Sequence, residues 1–164
     1  MAINLSKGDN VSFSRSLTNV CVGLGWDPNE GAGHEYDLDA SAFMLGHNGH
    51  LITDEFFVFY NNQLSPDGAV QSTGDDQTGR NSEEGDDETL MVDLAKVDPR
   101  VQEILFTATI YKAEERRQNF GQVSNAYIRI YNSTNEEEIA RYDLNEDFSV
   151  ETAVEFGRLY RSFG

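Results

Sequence analysis

Carboxylates dominate the chemistry open to this chain. Between Asp27 and Glu88, fifteen Asp and Glu side chains stand against one Lys or Arg, Arg80. They gather in three clusters: Asp37-Leu38-Asp39, Asp67-Gly68 with Asp75-Asp76, and Gly85-Asp86-Asp87-Glu88. At ~4 Å and an effective dielectric of about 20, two like charges repel by about 4 kcal/mol, so such groups either spread into water or converge on cations. Asn61 and Asn62 add neutral amide oxygens just before the second cluster. Neighbouring glycines let backbone carbonyls join the carboxylates. Calcium takes about six to eight oxygens at roughly 2.3–2.6 Å in flexible geometry, which this composition suits; magnesium demands a smaller, stricter octahedron. An acidic loop simply solvated by water is the competing reading, and the residues by themselves leave the two open.

Two familiar sites are disfavoured. An EF-hand beginning at Asp37 would need Gly at its sixth loop position and Glu at its twelfth, where Ala42 and Asn48 stand. Any calcium site must therefore be assembled from separate loops. Asp37-x-Asp39 followed by a small residue also matches the nucleophile and acid of aspartate-based phosphatases. Those sites follow a parallel strand in an α/β fold, however, and this chain has too little helical pattern for βαβ units. His47 and His50 lie three apart, but they straddle the Asn48-Gly49 pair typical of a tight hairpin, and no third ligand is evident.

The formal charge of −17 leaves no basic stripe to displace counterions from phosphates, so nucleic acid is not an expected partner. Cys21 is the only cysteine, which excludes an internal disulfide framework and a thiolate zinc cluster. It reads as a small buried filler. The first fifteen residues lack the apolar run of a signal peptide, and nothing approaches the ~18 apolar residues of a membrane span. A soluble, cytoplasmic protein is expected.

The elements that must position the clusters read as strands. Val20, Val22, Leu24 and Trp26 alternate with Cys21, Gly23 and Gly25, giving one bulky and one small face. Phe56 to Tyr60 is short and apolar on both faces, as a central buried strand would be. Thr89–Val92, Ile104–Tyr111, Tyr127–Tyr131 and Glu138–Tyr142 supply four more, with Ile128 and Ile130 facing opposite to Tyr127, Arg129 and Tyr131. Val150 to Arg161 fits helix or strand, and Gly157 favours strand. Asp98-Pro99 can start a turn or two, with Asp98 as N-cap and Pro99 at the first helical position, running to about Gln102. The stretch from Ser65 to Glu88 is too long and polar for an ordinary connection and is the expected functional loop. Six or more short strands indicate one all-β domain, an antiparallel β-sandwich with a long acidic metal-binding loop and a few short helices.

The motifs Leu5-Ser6-Lys7-Gly8, Gly23-Leu24-Gly25-Trp26-Asp27, Tyr36-Asp37-Leu38-Asp39-Ala40-Ser41, Phe59-Tyr60-Asn61-Asn62, Ser65-Pro66-Asp67-Gly68, Thr73-Gly74-Asp75-Asp76, Gly85-Asp86-Asp87-Glu88, Asn119-Phe120-Gly121-Gln122 and Ile139-Ala140-Arg141-Tyr142-Asp143-Leu144 are spread over nearly the whole chain. On these residues it resembles the TerD family of tellurium-resistance and bacterial stress proteins. The resemblance implies a single β-sandwich domain over residues 1–164 that binds calcium and has no known reaction. Carried over by motif, the implied ligands are Asp27, Asp37, Asp39, Asn62, Asp67, Asp75, Asp76, Asp86, Asp87 and Glu88, shared between two Ca2+ ions. Implied partners are other proteins, related tellurium-resistance proteins among them. A calcium-dependent adaptor at an anionic membrane surface is the alternative, against which the missing basic patch counts. Relatives usually continue past Tyr160-Arg161 into a strand containing Trp-Lys-Phe, whereas this sequence stops at Gly164. The expected consequence is an exposed edge open to self-association. The spacer from Arg80 to Glu84 is longer than the family pattern, which leaves the part played by Glu83 and Glu84 open.

Overall fold

A computed structural model describes residues 3–4, 9–14, 16–28, 31, 33–73, 86–144 and 152–161. Its strands are Ile3–Asn4 (β1), Asn19–Gly25 (β2), Leu38–Leu45 (β3), Phe57–Val58 (β4), Val70–Ser72 (β5), Glu88–Asp93 (β6), Glu103–Ile110 (β7), Tyr127–Asn132 (β8), Glu138–Asp143 (β9) and Ala153–Tyr160 (β10). One short helix, Ala113–Arg116 (α1), follows β7. The strands form a six-stranded sheet, β1-β9-β8-β2-β6-β5, and a four-stranded sheet, β10-β7-β3-β4. Neighbours are antiparallel except β1 and β9, which run parallel.

Period-two alternation builds the core. Val20, Val22 and Leu24 of β2 and Leu90 and Val92 of β6 face Leu38, Ala42 and Met44 of β3 and Phe106 and Ala108 of β7, all at most 3 % exposed. Burying a Val, Leu or Phe side chain contributes about 1.5–3 kcal/mol, so these faces fix which side of each strand looks inward. Small residues occupy the outer face of β2 for a different reason. A Cβ on Gly23 would collide with the Asp86 carboxylate, and one on Gly25 with the Tyr127 ring.

Two expectations need correction. Phe56 to Tyr60 is not a central strand: a 3-10 turn ends at Phe56, and β4 spans two residues at the edge of its sheet. The aromatic run stacks along the outer face instead, Phe57 on Phe43 at 4.4 Å and on Phe59 at 4.5 Å between ring centroids. Asn62 Nδ2 donates to Phe57 O at 2.7 Å and so takes up a strand carbonyl. Asp98 caps a single turn, as its position before Pro99 suggested, accepting from Arg100 N at 2.8 Å while Val101 N donates to Asp98 O. The stretch beginning at Ser65 is not all loop, because Val70 and Ser72 are buried and β5 pairs with β6. Residues 74–85 of that stretch lie outside the described residues.

The segment before Arg161 is a strand, as Gly157 suggested, with the register shift of a bulge between Glu155 and Gly157. The His47–His50 segment is a tight turn, with Gly49 at φ +76° and Gly46 N donating to His50 O at 2.9 Å. It joins the Leu45 end of β3, about 23 Å along the strand from Leu38.

Candidate functional site

β2 ends, and β3 and β6 begin, at one end of the sandwich. Leu24 pairs with Glu88 across the six-stranded sheet. From there the Glu88 side chain crosses the interior, and Oε2 accepts from Ala40 N of β3 at 2.7 Å. Asp87 N donates to Leu24 O at 2.9 Å, and Asp87 Oδ2 accepts from Trp26 N at 2.9 Å. The Trp26 indole, buried in the core, donates to Tyr36 O at 3.0 Å. Tyr111 N donates to Asp37 O at 2.7 Å and fixes the residue before β3. Segments 26–27, 36–39 and 86–88, remote in sequence, are thereby bound to one another.

The charges at this end are withdrawn from water. Asp37 and Glu88 are each 6 % exposed, and Asp37 Oδ1 and Asp87 Oδ1 are shut off from solvent. Burial penalises ionised carboxylates, so a group of them needs donors or cations around it. Asp39 is half-buried and lies on the face of β3 opposite Leu38 and Ala40. Asp27 is exposed; its Oδ2 accepts from Asn125 Nδ2 at 2.7 Å, and its own N donates to Ser124 O.

Other sequence-derived ligands sit elsewhere. Asp67 takes donors from Ser65 Oγ, Ala69 N and Asp98 N at 2.6–3.0 Å, and its turn abuts Asp93, roughly 17 Å along β6 from Glu88. In this arrangement Asp67 holds a turn. Asn62 holds its own hairpin through Glu55 O and Phe57 O. Asp75 and Asp76 lie outside the described residues. Asp86 is on the outer face of the six-stranded sheet, where Arg129 Nε and a second guanidinium nitrogen donate to its carboxylate at 2.9–3.1 Å and Tyr127 Oη donates at 3.1 Å.

Among the described residues, no three acidic, histidine or cysteine side chains are grouped so as to hold an ion by themselves. Asp37, Asp39, Asp87 and Glu88 lie on the segments joined at this end, and their oxygens are of the hard type that calcium takes. Backbone carbonyls are the natural complement at such a convergence of loops. One contributor carries no motif of its own. Gln118, only 7 % exposed, donates through Nε2 to His34 O at 3.0 Å and Glu35 O at 3.2 Å, so the turn after α1 braces the approach to Asp37. Arg116 adds a bond from its guanidinium to Glu35 O at 3.3 Å. Only the position of Gln118 beside the Asn119-Phe120-Gly121 motif hinted at its part.

A model of the TerD domain matches residues 1–164. The chain belongs to the TerD family. It is 53 % identical to the tellurium resistance protein TerD of Serratia marcescens over 167 residues, covering all of this chain and 86 % of that one. It is 47 % identical to general stress protein 16U of Bacillus subtilis, again over 100 % of this chain and 86 % of the relative. Membership thus lies in a tellurium-resistance and stress-response family. The fold agrees with a crystal structure of a homologue of telluride resistance protein TerD from Streptomyces coelicolor, at TM-score 0.71 and 20 % identity over 89 % of this chain and 82 % of that one. A crystal structure of a protein of unknown function gives TM-score 0.76 at 21 % identity, covering 90 % and 83 %. No helix among the described residues is long and apolar enough to cross a membrane.

Proposed function

We propose that this protein is a calcium-binding sensor or scaffold of a bacterial tellurite-resistance and stress-response system, acting through other proteins and carrying no reaction of its own. The observation that supports it is the tying together, at one end of the sandwich, of the segments that carry Asp37, Asp39, Asp87 and Glu88, with one carboxylate oxygen of Asp37 and one of Asp87 removed from water. Asp75 and Asp76 are proposed to complete the donor set, and the number of acids leaves room for two ions. Calcium, when bound, supplies the positive charge that offsets carboxylate repulsion. The chain's own groups do the rest. Trp26 N and Ala40 N aim Asp87 and Glu88 by donating to one oxygen of each. Gln118 and Tyr111 steady the strand entry that carries Asp37. Lowering the negative field at this end would stiffen and uncover a surface for a protein partner. A cytoplasmic place of action follows from the sensor reading.

Isothermal titration of chelator-treated protein tests the proposal. A sensor should take up calcium with a dissociation constant near 10⁻⁷–10⁻⁵ M, against competing magnesium. Absence of calcium uptake up to about millimolar concentration, the weak end of protein calcium sites, would overturn it.

A further inference from the structure

The three acids entering β6 go to three different places. Asp86 lies on the outer face over Gly23, Asp87 turns to Trp26 N at the strand end, and Glu88 enters the interior toward Ala40 N. Side chains of a strand alternate between faces, so a slip of one residue would send Asp87 inward and Glu88 outward. Register at this point therefore decides which carboxylates the site receives. Something must fix it.

The outer face carries a clamp suited to that task. Gly23 lies between Thr89 and Arg129 in the ladder, so the Arg129 side chain rises beside the space that the glycine leaves. Arg129 grips Asp86 through both carboxylate oxygens, at 2.9–3.1 Å, and the Asp86 side chain is only 5 % exposed. Tyr127 Oη adds a third donor. Arg129 is held in turn by the face of Tyr131, 4.4 Å from the ring centroid, and by Glu138 at 3.7 Å. A two-point arginine–carboxylate contact has strict geometry, which makes it a positional lock as well as a charge pair.

We infer that Asp86 is a tether and not a metal ligand, and that Arg129, Tyr127 and Gly23 form a clamp positioning Asp87 and Glu88 for calcium. The inference rests on the calcium reading for its ligand, but the clamp itself can be tested without the ion. Arg129 offers no oxygen to a cation. By long-range electrostatics alone, removing its positive charge would tighten calcium binding; loss of the clamp loosens it. The two effects have opposite signs.

The experiment compares Arg129→Gln, Asp86→Asn, their double variant, Gly23→Ala and Tyr127→Phe with the unaltered chain. Calcium binding is read by calorimetry, amide exchange at Trp26 and Ala40 by NMR in chelator, and folding by urea titration. Arg129→Gln is expected to weaken calcium binding about tenfold, the usual scale for groups that orient ligands. Asp86→Asn and Gly23→Ala should do the same, the latter by forcing the carboxylate off its seat. Combining Asp86→Asn with Arg129→Gln should add nothing to either alone. Tyr127→Phe, which keeps the ring and removes one donor, guards against variants that fail to fold and should show a smaller loss in the same direction. In chelator, each change should speed exchange of the Trp26 and Ala40 amides. Calcium binding unchanged or tighter in Arg129→Gln would overturn the inference, as would a further full loss on adding Asp86→Asn, which would make Asp86 a ligand. Unaltered amide exchange would overturn it irrespective of calcium. If the unaltered chain took up no calcium while exchange responded as expected, the calcium reading would fail and the clamp would stand.

Discussion

Glu88 shows at a single residue how stability and site are joined. Its carboxylate accepts from a buried N–H of the opposite sheet. Glu88→Ala leaves that donor unmet, which costs about 1–3 kcal/mol, whereas Glu88→Gln keeps an acceptor oxygen and should lose less than half as much. Urea denaturation in chelator checks both, and equal losses would contradict the geometry. A second pair of residues sets an alkaline limit. Burial and a bond to Cys21 push Tyr131 up to about 12, and burial raises the Cys21 thiol as well. Both shifts are upward, so their contribution is fully present below the unfolded thiol and phenol ranges, about 8.5 and 10, and is lost as pH rises through the folded values. Stability should fall above about pH 8.5, and Tyr131→Phe should shallow that fall above about pH 10. Thermal melts at stepped pH, with tyrosinate absorbance, read this directly.

Elements with clean alternation were legible from the chain alone. The bulky and small faces of β2, the split faces of β8 and the strand character of β10 all stand as the sequence indicated. β3 was hidden because Asp39 read as site chemistry, although Leu38, Ala40, Ala42 and Met44 alternate with Asp39, Ser41 and Phe43. β4 misled in the opposite way. An apolar run on both faces matches a central strand, yet an edge with stacked rings satisfies the same pattern. Its weight should be measurable: Phe57→Ala removes two ring contacts, each worth about 0.5–1.5 kcal/mol, and should lower unfolding free energy by about 1–3 kcal/mol. A loss far below that would mean the ladder is decoration on the sheet. Of the candidate site, clustering marked the acidic segments 37–39 and 86–88, and hydrogen bonds between distant backbone segments bring them to one end. Nothing in spacing could tell that Asp67 serves a turn or that Asp86 points to the outer face, because both depend on partners far along the chain, Asp98 and Arg129.

At the scale of the whole molecule, a charge of −17 works against a compact fold through self-repulsion. Raising monovalent salt from about 10 mM to 1 M shortens the screening length from about 30 to 3 Å, so the melting temperature should rise with salt; a flat response would mean that the acids are already neutralised locally. Calcium should act at concentrations far too low to screen, because it binds at one place. That place is where the calcium reading is most exposed to test. Crystals grown with saturating calcium should show an ion coordinated at about 2.3–2.6 Å by oxygens from Asp37 or Asp39 together with Asp87 or Glu88, identified by its anomalous signal. A map in which these carboxylates meet only protein N–H groups, with calcium absent or bound elsewhere, would contradict it.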